Sequence, residues 1–278
     1  MTNLGIFNTL SEFVIIRINV ASEITHFEGW VESKKHLDYD LWYIEHGEIE
    51  LRIQNEVFIV REKELVLFSP RIAYTATIIS KSCTFTFTHF DFSLGEHTHI
   101  LDNFDLTGIL HRHLVEQEIQ MYLEAYLQYK KSIPMSAIRL KGSLTMLLSK
   151  IIENYGNGQY TGEFNKYLKD TKNIADDMTN LQPVFTYIQN NYSTSIRIHE
   201  LATIVGMSEK YFISYFKRAI GVTPGRYIHQ LKMNEAKKML FSKKYTIQQI
   251  ANTLGYSDAY SFSKSFKTYY KVSPSEFV

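Results

Sequence analysis

Apolar positions in the first third of the chain come in short alternating or clustered runs broken by turn residues. "LWYIEHGEIELRI" sets branched and aromatic side chains on both sides of Gly47. "KELVLFSP" stops at Pro70, and "TFTFTHFDF" alternates Phe with polar residues. A period of two in such runs is the mark of β-strands, here from about Leu41 to Phe92. Successive strands without helices between them predict an antiparallel barrel or sandwich. From about Leu106 to Tyr155 the period lengthens. Ile109, Leu110, Leu114, Ile119, Leu123 and Leu127 form one stripe. Ile138, Leu140, Leu144, Leu147, Leu148 and Ile151 form a second, so two amphipathic helices are expected, separated at Pro134. Residues 156–180, rich in early breakers and poor in periodic apolar positions, read as a linker. Pro183 then opens a second helical module that runs to the end. The chain is therefore expected to be α+β, with a β-rich domain and two helices over 1–155, the linker, and an all-α domain over 181–278.

Inside the helical module one pattern occurs twice. "IHELATIVGMSEKYFISYFKRAIGVTP" matches "IQQIANTLGYSDAYSFSKSFKTYYKVSP", pairing Ala202 with Ala251, Gly206 with Gly255, Phe212 with Phe262, Phe216 with Phe266 and Lys217 with Lys267. One residue is inserted after the second glycine. Each copy reads as helix, glycine turn, helix: a small residue lets two helices cross closely, and a Phe pair at i, i+4 buries one edge of the second helix. The opposite edge stays free to enter a major groove. The units span about 197–219 and 246–269, the latter opened by a Thr246–Gln249 capping box. Between them Thr223-Pro224 looks like N-cap and N1, and a helix to about Phe241 would span about 25 Å.

Net charge sharpens this division. The whole chain is at +1, but from Pro183 onward there are 13 Lys+Arg against 5 Asp+Glu, and before it 17 against 24. A basic module beside an acidic one is the asymmetry of a domain that binds polyanions. The composition, 45% apolar and 21% charged, supports buried cores. The single Cys83 excludes an internal disulfide and a multi-cysteine metal site and fits a reducing cytoplasm. No apolar run reaches the roughly 20 residues of a membrane span, and "MTNLGIFNTL" lacks the basic-then-apolar order of a signal peptide. A cytoplasmic protein without a membrane partner is expected.

At the repeated units the sequence resembles the AraC/XylS family of transcription regulators. The match covers about the last 95 residues: the A-x-x-x-G turn in both copies, Phe216-Lys217 and Phe266-Lys267, Lys232, Ala236 and Leu240 in the connecting helix, and the closing V-S-P-x-x-F from Val272 to Phe277. The resemblance implies a bipartite DNA-binding domain and an N-terminal cupin-like barrel for a small-molecule effector and for dimerisation. It further implies double-stranded promoter DNA as partner, RNA polymerase as a partner of an activator, and a homodimer. Carried onto these residues, it puts Lys210, Ile213 and Ser214 on the groove-facing edge of the first unit, and Tyr260, Ser263 and Lys264 on that of the second. Lys264 suits a guanine O6/N7 pair and Ile213 a thymine methyl, while Lys217 and Lys267 suit phosphates. Sugars are common effectors in the family. Lys271 stands where the family usually has glycine, as at Gly221, and Lys232 where arginine is common.

An enzymatic reading must compete with this one. A cupin barrel can be a metal-dependent enzyme, here with an accessory nucleic-acid-binding domain. Yet His97-x-His99, His89-x-Asp91 and His111-x-His113 are lone pairs without a completing glutamate, and no P-loop, G-x-S-x-G or H-E-x-x-H occurs. No catalytic residue, metal set or cofactor is therefore expected. Trp42, Tyr43, Arg71, Tyr74 and His89 are the candidate lining of an effector pocket, against core packing for each aromatic. The helices of 106–155 are the candidate dimer surface.

Overall fold

The computed structural model describes residue 11 and residues 14–70, 72–94, 108–162, 164 and 174–277. The chain divides into two compact units, Met1–Ala175 and Asp176–Val278.

The first unit is built from β1 (Val14–Phe27), β2 (Val31–Lys35), β3 (Tyr39–His46), β4 (Ile49–Ile53), β5 (Glu56–Val60), β6 (Glu64–Phe68), β7 (Ala73–Ile78), β8 (Ser82–Leu94) and β9 (Gly108–His111). All their pairings are antiparallel. One sheet has the order β1-β8-β3-β6-β9 and the other β2-β7-β4-β5. Their facing sides share one core: Trp42, Ile44, Val66, Phe68 and Phe85 from the first sheet meet Leu51, Val60, Tyr74, Ala76 and Ile78 from the second. This is the two-layer solution for strands with one apolar face. Among the described residues neither sheet closes on itself: β1 pairs with β8, and β9 with β6 and, at Ile109, with Thr161, so of the two expected forms the sandwich is seen and a closed barrel is not established. The β3–β4 turn depends on Gly47, whose φ is +89° and whose Cβ, if present, would lie 2.3 Å from the Ser82 carbonyl.

Two helices, α1 (Glu116–Lys130) and α2 (Ser136–Gly156), accompany the sheets. Ile109 and Leu110, expected to begin a helical stripe, belong instead to β9 and pair with β6; two apolar neighbours satisfy either period. α1 buries Ile119, Tyr122, Ala125 and Tyr126, and Leu127 is 52% exposed. The tyrosine edge wins because the Tyr122 hydroxyl finds a buried hydrogen-bond partner in Thr88. α2 buries Leu140, Leu144, Leu147, Leu148 and Ile151, with Ile138 left exposed. Part of the segment read as linker also packs here. Thr161 bridges Ile109, and Phe164 is in the sandwich core.

The second unit comprises α3 (Ile174–Asn191), α4 (Ile198–Ile204), α5 (Glu209–Ile220), α6 (Pro224–Ser242), α7 (Ile247–Thr253) and α8 (Ala259–Tyr270). Pro183 lies inside α3 rather than opening it. The pairs α4–α5 and α7–α8 are the two repeated units. Gly206 and Gly255 make their turns at φ +67° and +70°. Among the described residues no helix is long and apolar enough to cross a membrane.

Candidate functional site

Each helix-turn-helix begins with the chemistry that fixes its second helix. Ser208 Oγ accepts from Tyr211 N at 3.4 Å, and Asp258 Oδ1 accepts from Ser261 N at 2.6 Å, so α5 and α8 start at set positions. That bond and the Ser257 hydroxyl hold the Asp258 carboxyl below the usual carboxylate range. One edge of each helix is then buried. Phe212, Tyr215 and Phe216 pin α5, with Phe216 tilted against Phe185 and Tyr227 at ring separations of 5.7 and 5.9 Å. Phe262 and Phe266 pin α8 against Met233, Ala236, Leu240, Ile250, Ala251 and Leu254.

What remains outside is the stripe at i, i+3, i+4 and i+7 on both helices. Lys210, Ser214 and Lys217 are exposed on α5 with Ile213 half-buried among them; Lys264 and Lys267 are exposed on α8 with Ser263 half-buried. Tyr260 is 76% exposed in the first turn of α8. Ser214 and Ser263 donate to the carbonyls of Lys210 and Ala259 at 3.3 and 2.7 Å, so each hydroxyl still has lone pairs to accept from a base edge. All eight sequence-derived residues therefore sit on the two free edges. Tyr211, 51% exposed at the start of α5, is an addition that the stripe count missed.

The two helix-turn-helix units are fastened to one strut. α6 is capped by Thr223, which accepts from Arg226 N, with Pro224 in the first turn. Its Tyr227 packs on the α5 side, and its Met233 carbonyl accepts from Tyr270 of α8 at 3.3 Å. Lys232, on α6, is buried. Its Nζ donates to the Thr194 carbonyl at 2.9 Å and lies 5.7 Å from the Tyr256 ring centre. Burial lowers its pKa. The same Thr194 carbonyl abuts Gly255: a Cβ there would fall 2.6 Å from Thr194 C and 2.8 Å from its O. The α3–α4 loop is thereby locked to the second unit's turn.

In the first unit, three of the five candidate effector residues converge. Asp40 and His89 are direct cross-strand partners on β3 and β8, and Trp42 shares the Asp40 face two residues on. Trp42 Nε1 donates to Asp40 Oδ2 at 2.7 Å. His36, just after β2, brings its Nε2 to 3.1 Å from the Tyr74 hydroxyl, which donates to Glu32 at 3.4 Å. Trp42 and Tyr74 meet edge-on at 5.5 Å. Asp40 is 1% exposed, and burial pushes its carboxyl up to about 7 against the pull of His89. Burial likewise lowers the pKa of His36. Tyr43 is elsewhere, its hydroxyl accepting from Arg112 at 3.0 Å. Arg71 lies outside the described residues, as do His97 and His99. His36, Asp38 and Asp40 escaped sequence reading; the signal was two acids at strand spacing in "HLDYDLWY" leading to Trp42.

With these features in place, a family described as a helix-turn-helix domain matches residues 201–278. The Tn10 TetD protein of Escherichia coli is 30% identical over 123 residues, covering 42% of this chain and 89% of TetD. The raffinose operon transcriptional regulatory protein RafR of Pediococcus pentosaceus is 34% identical over 110 residues, covering 39% of this chain and 40% of RafR. The uncharacterized HTH-type transcriptional regulator YisR of Bacillus subtilis (strain 168) is 26% identical over 258 residues, 86% of this chain and 85% of YisR. The chain thus spans less than half the length of RafR. The C-terminal domain of the yesN response regulator of Fusobacterium nucleatum aligns over 33% of this chain and 90% of that one at 26% identity, with a TM-score of 0.32, too low to add to the fold assignment. The chain belongs to the AraC/XylS family of transcription regulators.

Proposed function

We propose that this protein is a sequence-specific regulator of transcription that binds promoter DNA through α5 and α8 and answers to a small molecule held in its N-terminal sandwich. The observation that carries the reading is the pair of solvent-exposed, lysine-bearing edges on the second helices of two helix-turn-helix units fixed to one helix. Lys264 reads a guanine, Tyr260 and Ser263 flank it, and Lys210, Ile213 and Ser214 line the first groove. Lys217 and Lys267 hold phosphates. The effector pocket is the end of the sandwich where Trp42, Tyr74 and His89 meet, in the cupin-like role of this half; the operon names of relatives such as RafR favour a sugar. Arg71 and Tyr43 belong to the same proposal only as neighbours in sequence. A homodimer forms through α1 and α2, where Met121, Leu127, Ile138 and Met146 are exposed. RNA polymerase is the further partner if the protein activates. The protein works in the cytoplasm and is not an enzyme.

Selection of bound duplexes from a random pool tests this. A defined consensus should emerge, with affinity that falls steeply as salt rises because bound lysines release phosphate counterions. Failure to enrich any sequence, or binding indifferent to salt, overturns the reading.

A further inference from the structure

Hydrogen bonds to Tyr74, Asp38 and Trp42 account for only part of the polar cluster between the two sheets. His36 Nε2 and His89 Nε2 lie 3.7 and 3.8 Å from the same Asp40 oxygen, Oδ2. Those separations are too long for hydrogen bonds. They approach the ligand-to-ligand edge of about 3.3 Å set by metal bonds of about 2.0 Å in a tetrahedron. One ligand atom from each of the three residues falls within 4.8 Å of the others. The His36 and His89 rings are 4.5 Å apart, centre to centre.

Two further observations point to an ion. Asp40 Oδ1 is buried and has no hydrogen-bond partner, a costly state for a carboxylate oxygen unless something else satisfies it. His89 Nδ1 lies 3.0 Å from Asp38 Oδ1. A carboxylate there accepts a hydrogen bond from Nδ1–H, which selects the tautomer whose Nε2 lone pair is available to a metal. Trp42 Nε1, donating to Asp40, performs the same orienting task for the carboxylate.

We propose that His36, Asp40 and His89 bind one divalent transition-metal ion between the two sheets of the first unit, with Asp38 and Trp42 as positioning residues. Two imidazoles and one carboxylate form a three-ligand set that suits borderline ions such as Zn2+ and leaves a coordination position open. On binding, Tyr74 gives up its contact with His36 and keeps Glu32. The site shares the end of the sandwich with the effector reading but does not rest on it, since the ion needs neither DNA nor an organic ligand.

The test uses the full chain, stripped with a chelator and titrated with Zn2+ against a chromophoric competitor, and with Co2+ followed by its visible spectrum. One ion per chain should bind, raise the melting temperature by mass action, and give cobalt bands of a low-coordinate site. His36→Gln and His89→Gln should each abolish stoichiometric binding, and Asp38→Asn should weaken it about 10–100-fold. His113→Gln, at the surface ring pair His111–His113, should change nothing and thereby separates a built site from adventitious histidine binding. Unchanged circular dichroism of the apo variants shows that the fold survives. Retention of the ion by a His36→Gln/His89→Gln double variant, or no stoichiometric binding by the folded wild-type chain, overturns the proposal.

Discussion

Gly206 and Gly255 hold the same place in the two repeats and have nearly the same φ, yet they are not under the same constraint. A Cβ on Gly206 meets nothing within 4 Å, whereas one on Gly255 strikes the Thr194 carbonyl. Gly206→Ala should therefore cost only the left-handed backbone penalty, about 1–2 kcal/mol. Gly255→Ala should cost at least twice as much and disturb the Lys232–Thr194 bond as well. Urea unfolding of the two variants measures the difference. The lysines divide by what they touch. Lys264→Ala should weaken the selected DNA site by roughly 1–3 kcal/mol more than a scrambled duplex and relax preference at one base pair. Lys217→Ala should weaken both duplexes alike and reduce the salt slope by about one. Binding isotherms on both duplexes at two salt concentrations decide it; equal losses for Lys264→Ala would make that lysine a backbone contact.

At the scale of elements, the second helices of the two helix-turn-helix units end differently. α5 stops at Gly221, φ +79°, while α8 stops at Lys271, φ +68°. The first is an ordinary C-terminal glycine and the second a left-handed lysine, strained by its Cβ. Lys271→Gly should raise the unfolding free energy by about 1 kcal/mol, read as a higher melting temperature with DNA affinity unchanged within twofold. This asymmetry was legible in the sequence, because the repeat aligns Lys271 with Gly221. So were the Thr246–Gln249 capping box, found with bonds of 2.8 and 3.2 Å, and the strut opening at Thr223-Pro224. The first unit was read less well. Periodicity cannot distinguish Ile109-Leu110 in a short edge strand from the start of a helix. Nor does it register that Tyr122 prefers burial over Leu127 once Thr88 offers its hydroxyl a partner. The His36–Asp40–His89 cluster joins residues that are adjacent only after β3 and β8 pair, so no local pattern announces it.

Over the whole molecule, the charge division follows the structural one. The basic excess counted from Pro183 falls within Asp176–Val278, so the compact unit with the helix-turn-helix pair is also the one suited to phosphates. The acidic remainder includes the sandwich, where Asp38, Asp40 and Glu32 are directed to histidines, a tyrosine and a lysine rather than to a polyanion.

The fastening of α6 at both ends has a consequence for the DNA. Tyr227 clasps one reading head, Tyr270 and Lys232 the other, and a helix of 19 residues does not stretch. Under the proposed reading the protein acts as a fixed-gauge calliper, and two boxes on its operator must keep a single phase, since one added base pair turns the distal box by about 35° and shifts it by about 3.4 Å. Under the proposed reading, a single-base-pair insertion between the boxes should lower affinity nearly as much as scrambling one box, as a gel-shift series on spaced operators would record. Tolerance of several spacings would mean that the calliper has a hinge. Any drift in operator spacing would then have to be matched by bending of the duplex, so genomes that use this protein should preserve the gap between the boxes as strictly as the letters inside them.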